Sequence, residues 1–112
     1  ANNIVQKLDV AMEQDQLYLD ASLSLPKLAK HIAASPNYIS QTLNQKLGLS
    51  FFDYVNRYRV EAAKSQLCHH DDTVLDIAMN VGFNAKSSFY TAFKKETQLT
   101  PSQFRKAKHS PQ

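Results

Sequence analysis

LAKHIAASPNYISQTLNQKLGLSFFDY, residues 28–54, and IAMNVGFNAKSSFYTAFKKETQLTPSQF, residues 77–104, repeat one apolar pattern. Leu28-Ala29, Ile32 and Ala33 recur as Ile77-Ala78, Val81 and Gly82, 49 positions later. Ile39, Leu43, Leu49, Ser50 and Tyr54 recur as Phe89, Phe93, Leu99, Thr100 and Phe104, 50 positions later. The extra residue falls between Gly82 and Phe89, and length changes concentrate in turns. Each copy therefore reads as a helix, a tight turn and a second helix. Two such units in one small basic chain point to a nucleic-acid partner.

Composition agrees with an all-α fold. The 112 residues allow a modest core, and 43% hydrophobic content is too high for general disorder. Two glycines, four prolines and no alternating Val/Ile/Thr run argue against strands. No apolar run is long enough for a bilayer, and no signal-peptide pattern opens the chain. The single Cys68 has no partner for an internal disulfide, which fits a reducing cytoplasm. The net charge of +3 is unevenly spread. Residues 1–24 carry four carboxylates against Lys7, whereas residues 83–112 carry six basic side chains against Glu96. A basic C-terminal third suits a polyanion.

Seven helices follow from periodicity and start signals. The first is expected from about Asn3 to Tyr18, with Ile4, Leu8, Ala11 and Met12 on one stripe. Ser24 and Ser35-Pro36 open the next two, ending near Ala33 and at Gly48. Ser50 opens the longest, to about Leu67, with Asp53 completing a variant capping box and Phe51, Val55, Tyr58 and Ala62 as its inner face. Thr73 with Asp76 opens the fifth, ending at Gly82. Asn84 is expected to cap the sixth, from Ala85 to about Thr97. Thr100-Pro101-Ser102-Gln103 is a capping box for a last helix to about Lys108. The expected division is one domain over 1–112, with subdomain one at about 3–49, a linker helix at about 50–67 and subdomain two at about 73–108. Eighteen linker residues make roughly 27 Å of helix. That suits two reading heads one DNA turn, about 34 Å, apart.

The second helix of each repeat, about 36–47 and 85–97, is the expected recognition helix. If Ile39 and Leu43 point inward, Asn37, Gln41, Asn44 and Gln45 face out, with Tyr38 and Ser40 on the flanks. If Phe89 and Phe93 point inward, Ser87, Thr91, Lys94 and Lys95 face out, flanked by Lys86, Ser88 and Tyr90. Both faces are rich in donors and lack carboxylates, as a major-groove surface requires. Asn37, Gln41 and Asn44 are amides suited to adenine edges, whereas hydroxyls and lysines suit phosphates and less selective contacts. The first recognition helix is thus expected to discriminate sequence more, and the unequal pair to read an asymmetric site.

Gly82-Phe83-Asn84, Ser88-Phe89, Phe93-Lys94-Lys95 and Thr100-Pro101-Ser102-Gln103-Phe104-Arg105 resemble the signature of the AraC/XylS family of bacterial transcription regulators. Leu25-Pro26-Lys27-Leu28-Ala29, Gly48-Leu49-Ser50-Phe51, Tyr54-Val55 and Asn56-Arg57-Tyr58-Arg59 resemble its first repeat. The resemblance implies two helix-turn-helix subdomains on a long helix, in adjacent major grooves of double-stranded DNA. It implies base-reading roles for Asn37, Ser40, Gln41, Lys86, Ser87, Ser88 and Thr91, joined by Asn44 from the face analysis. Backbone contacts are implied for Ser35, Lys94 and Arg105, joined by Lys95. Gln98 stands where glycine is usual two residues before the Thr-Pro pair, although the first repeat keeps Gly48. The resemblance further implies transcription regulation in the cytoplasm, RNA polymerase as a partner, and an effector or dimerisation domain outside this C-terminal piece of a larger regulator.

No catalytic residue, metal or cofactor is expected. Cys68-His69-His70-Asp71-Asp72 holds metal-ligand types, but adjacent residues rarely converge on one ion and no second cluster completes a site. No base marks Cys68 as a nucleophile. The aromatics Phe51, Phe52, Tyr54, Phe83, Phe89, Phe93 and Phe104 are read as mostly core. Two other classes stay open from residues alone: a helical protein-interaction module, and a DNA-targeting accessory of a modification or repair enzyme.

Overall fold

A computed structural model of the chain describes residues 2–109. They form seven α-helices: α1 Asn2–Glu13, α2 Leu25–Ile32, α3 Pro36–Leu47, α4 Phe51–His69, α5 Val74–Asn80, α6 Lys86–Thr97 and α7 Pro101–His109. No strand occurs among the described residues.

Hydroxyl caps start most of these helices, as their sequences predict. The side-chain oxygens of Ser24, Ser35, Ser50 and Thr73 accept from the backbone N–H three residues on, at 3.1–3.3 Å. At α7 the capping box closes both ways, with Gln103 N–H on Thr100 Oγ1 at 3.1 Å and Thr100 N–H on Gln103 Oε1 at 3.0 Å. Two expected caps differ. Asp53 does not complete a box, because its carboxylate accepts from Lys95 Nζ instead. The N-cap of α6 is Ala85 rather than Asn84, and no side chain caps that helix.

The first helix is shorter than its periodicity suggests. The N–H groups of Gln14 and Asp15 both reach Val10 O, and Gln16 takes a left-handed φ of 52°. A 3₁₀ turn, Leu17–Leu19, follows. The break folds Leu17 and Tyr18 back onto the first core, where Tyr18 stacks on Tyr58 with ring centroids 5.8 Å apart. Neither glycine nor proline marks it in the sequence.

Two separate cores form along α4. The first gathers Ile4, Leu8 and Met12 of α1 with Leu28, Ile32, Ile39 and Leu43, closed by Phe51, Tyr54 and Val55. The second gathers Val60, Ala63 and Leu67 with Ile77, Val81, Phe83, Phe89, Phe93 and Phe104. At about 100° per residue, the α4 side chains serving the first core and those serving the second lie roughly 160° apart around the helix. So α4 does not carry the single Phe51–Val55–Tyr58–Ala62 stripe that its spacing suggests; Tyr58 and Ala62 are only half-buried. The two units sit on opposite faces of one helix, in a molecule of 47 × 23 × 23 Å.

Left-handed residues end α3 and α6. Gly48 (φ 68°) closes α3, donating to Asn44 O at 2.9 Å, while Leu49 N–H returns to Leu43 O. Gln98 takes the same conformation (φ 67°) after α6 and donates to Lys94 O at 2.8 Å. There the Thr97 hydroxyl accepts the Leu99 N–H at 3.1 Å, where the first repeat uses a backbone carbonyl. The turn is thus the glycine turn without the glycine.

Candidate nucleic-acid interface

Burial of Ile39, Thr42 and Leu43 fixes the rotation of α3. Asn37, Ser40, Gln41 and Asn44 are all exposed on the other side, with Tyr38 beside them. Ser35 is exposed as well, and its hydroxyl oxygen is committed to the Tyr38 N–H as the helix cap. Burial of Phe89, Ala92 and Phe93 likewise fixes α6 and exposes Lys86, Ser87, Ser88, Thr91, Lys94 and Lys95. Neither outward set contains a carboxylate.

Within α6 the cations differ in their surroundings. Lys86 Nζ lies 5.5 Å from the centroid of the half-buried Tyr90 ring, a cation–π placement that restrains it at the start of the helix. Lys95 Nζ donates to Asp53 Oδ1 at 3.0 Å, and the next residue, Glu96, meets Arg57 Nε at 3.6 Å. These pairs join α6 to consecutive turns of α4. Lys95 is therefore aimed at the linker helix, while Lys94 carries its charge outward. Arg105 is also engaged within the fold: it is half-buried and donates to three carbonyls, Leu67 O at 3.2 Å, His70 O at 3.0 Å and Asp72 O at 2.8 Å. Its fork holds the end of α4 and the loop beyond it.

A groove of about 550 Å³ runs between the first half of α4 and the outward side of α6. Phe52, Asn56 and Arg59 line one wall and Ser87, Ser88 and Thr91 the other. Phe52 is the exception among the aromatics read as core: it is 72% exposed on the rim, held edge-on against Phe51 at 5.4 Å.

Arg59 lies at the base of this groove. Its Nε donates to Tyr18 O at 2.7 Å and its Nη2 to Asp20 O at 3.0 Å, and its guanidinium lies 5.7 Å from the Phe83 ring centroid. Burial pulls its pKa below the usual arginine value, and the charge of Asp20 opposes that shift. Gly82, at φ 108°, lies against the same contacts: a Cβ there would run into Tyr18 O and Arg59 Nε. Sequence reasoning missed this cluster. The available signal was the repeat itself, which has Ala33 at φ 57° where the second copy requires glycine.

Elsewhere the described residues offer little chemistry. Among the described residues no group of three or more His, Cys, Asp or Glu side chains could hold a metal ion. His69 Nδ1 is 2.9 Å from Ser65 O within its own helix. No described helix is long and apolar enough to cross a membrane.

Comparison with known proteins adds a family. Residues 28–107 match the family described as a helix-turn-helix domain. The chain is 37% identical over 101 residues to the regulatory protein PocR of Salmonella typhimurium, covering 87% of this chain and 33% of that protein. It is 35% identical over 91 residues to the uncharacterized HTH-type transcriptional regulator YtdP of Bacillus subtilis, covering 81% of this chain and 12% of that protein. The chain thus spans a third or less of these relatives. Among solved structures, it is similar to the C-terminal domain of the two-component response regulator yesN from Fusobacterium nucleatum, with 30% identity and a TM-score of 0.78. That similarity covers 94% of this chain and 99% of the other.

Proposed function

This chain belongs to the AraC-type helix-turn-helix family, and from that premise we propose that it binds double-stranded DNA sequence-specifically and regulates transcription. The observation that carries this reading is the pair of outward faces on α3 and α6, both donor-rich, both free of carboxylate, and mounted on one continuous helix. In the proposed complex the two helices enter adjacent major grooves of an asymmetric site. Asn37, Ser40, Gln41 and Asn44 read bases from the first, and Lys86, Ser87, Ser88 and Thr91 from the second. Lys94 and the Ser35 turn contact phosphates. Lys95 reaches a phosphate by exchanging Asp53 for it, and Arg105 does so through what its carbonyl contacts leave free.

The remainder of the full-length protein is proposed to carry effector sensing or dimerisation, with RNA polymerase as a partner and the cytoplasm as the site of action. The role proposed for the present chain is recognition and not catalysis.

Selection from a random duplex library tests the reading, with enrichment of two unlike half-sites about one turn apart as the expected result. Gln41→Ala should then relax preference at one base pair by about 1–3 kcal/mol. Lys94→Ala should weaken all sequences alike and lower the salt dependence by about one phosphate contact. No enriched motif, or a Gln41 effect that is uniform across sequences, would overturn it.

A further inference from the structure

We propose that Arg59 is a positioning residue that sets the half-site spacing this protein accepts, an inference that rests on the DNA-binding reading above. The two cores share no side chain: α4 gives Val55 to the first and Val60 to the second, and Arg59 stands at the joint. From there its guanidinium holds the Tyr18 and Asp20 carbonyls of the first unit and lies over Phe83 of the second. Gly82 brings the turn between α5 and α6 against the same carbonyl, with no room for a Cβ. The first unit's 3₁₀ segment and the second unit's helix-turn-helix turn are thus clasped around one side chain.

The other ties between the heads are weaker. Lys95–Asp53 and Arg57–Glu96 each expose at least one partner by more than half, and exposed pairs resist little. A single α-helix bends along its length. Adding one base pair between half-sites turns one of them by about 34° relative to the other. On a lever of about 10 Å, the usual helix packing distance, a head would have to swing by roughly 6 Å to follow. Hydrogen bonds fail beyond about 3.5 Å, so the swing breaks both carbonyl contacts of Arg59. While the clasp holds, only one spacing fits both heads.

The test uses the duplex selected by the wild-type chain, together with versions carrying one base pair inserted or deleted between the half-sites. Affinities are measured at one salt concentration for wild type, Arg59→Met and Arg59→Lys, with single half-site duplexes as the control. Wild type should lose roughly 100-fold on the altered spacings. Arg59→Met should lose less than about 10-fold on them while keeping its half-site affinity. Arg59→Lys keeps the charge without the fork and should fall between; it decides by the same comparison if Arg59→Met loses helicity. An unchanged spacing penalty with intact half-site binding would overturn the proposal and leave the DNA-binding reading standing. Absence of any sequence-specific binding by wild type would overturn both.

Discussion

The two left-handed turns that end α3 and α6 allow a reciprocal experiment. Gly48 and Gln98 hold φ values of 68° and 67°, so the same backbone shape is made once with glycine and once with a long L side chain. The left-handed conformation costs an L residue about 1–2 kcal/mol. Gln98 recovers part of this through its Nε2 bond to Lys95 O, a 3.3 Å exposed contact contributing about 0.5 kcal/mol. A glycine there would also give the unfolded chain about 0.4–1 kcal/mol of extra freedom to lose. Gln98→Gly should therefore stabilise by roughly 0.5 kcal/mol. Nothing lies within 4 Å of a Cβ at Gly48, so Gly48→Gln carries the conformational cost less the unfolded-state gain, with no bond to recover more, and should destabilise by about 0.8 kcal/mol. With about 2.1 cal/mol/K of unfolding entropy per residue, 0.5 kcal/mol is about 2 °C for 112 residues. Calorimetry on both variants should place their midpoints on opposite sides of wild type. Two shifts of the same sign, or a Gln98→Gly variant melting below wild type, would refute the idea that the residue at this turn is conformationally strained.

Arg105→Lys keeps the charge but loses the fork that spans three carbonyls, and should lower the stability by about 1–2 kcal/mol in urea melts; a wild-type midpoint would mean that the fork holds nothing together. Alkali should unfold the first core. Tyr54 is buried and donates to Asp9 Oδ1 at 3.3 Å, and burial, then Tyr58, then Asp9 raise its pKa. The folded state therefore favours the neutral phenol, with full stability below the unfolded value near about 10 and progressive loss above it. Tyrosinate absorbance followed alongside circular dichroism should show the last tyrosines ionising only as helix is lost; full ionisation with helicity intact would contradict this.

Much of this fold was legible because its determinants are local. Ser24, Ser35, Ser50, Thr73 and Thr100 are polar starts beside apolar runs, and each forms its cap within three residues. The outward sides of α3 and α6 were equally legible, since Ile39 with Leu43 and Phe89 with Phe93 fix the rotation of any helix that buries them. What escaped depends on distant parts of the chain. The end of α1 at Glu13 is set by the return of Leu17 and Tyr18 to a core built mostly from later residues. The bonds of Lys95 to Asp53 and of Arg105 to the Leu67 carbonyl join residues 42 and 38 positions apart. No periodicity carries such pairings. The change of inner face along α4 escaped for another reason: a stripe that crosses from one side to the other mimics a broad, weak one.

That crossing has a consequence for local opening. Amide hydrogen exchange along α4 should divide into two blocks, because helical amides report the cooperative unit that buries their turn. The turns around Phe51 to Val55 belong to the aliphatic core, and those around Val60 to Leu67 to the core rich in phenylalanine. One uninterrupted helix would then exchange at two rates, with the step falling near Arg59.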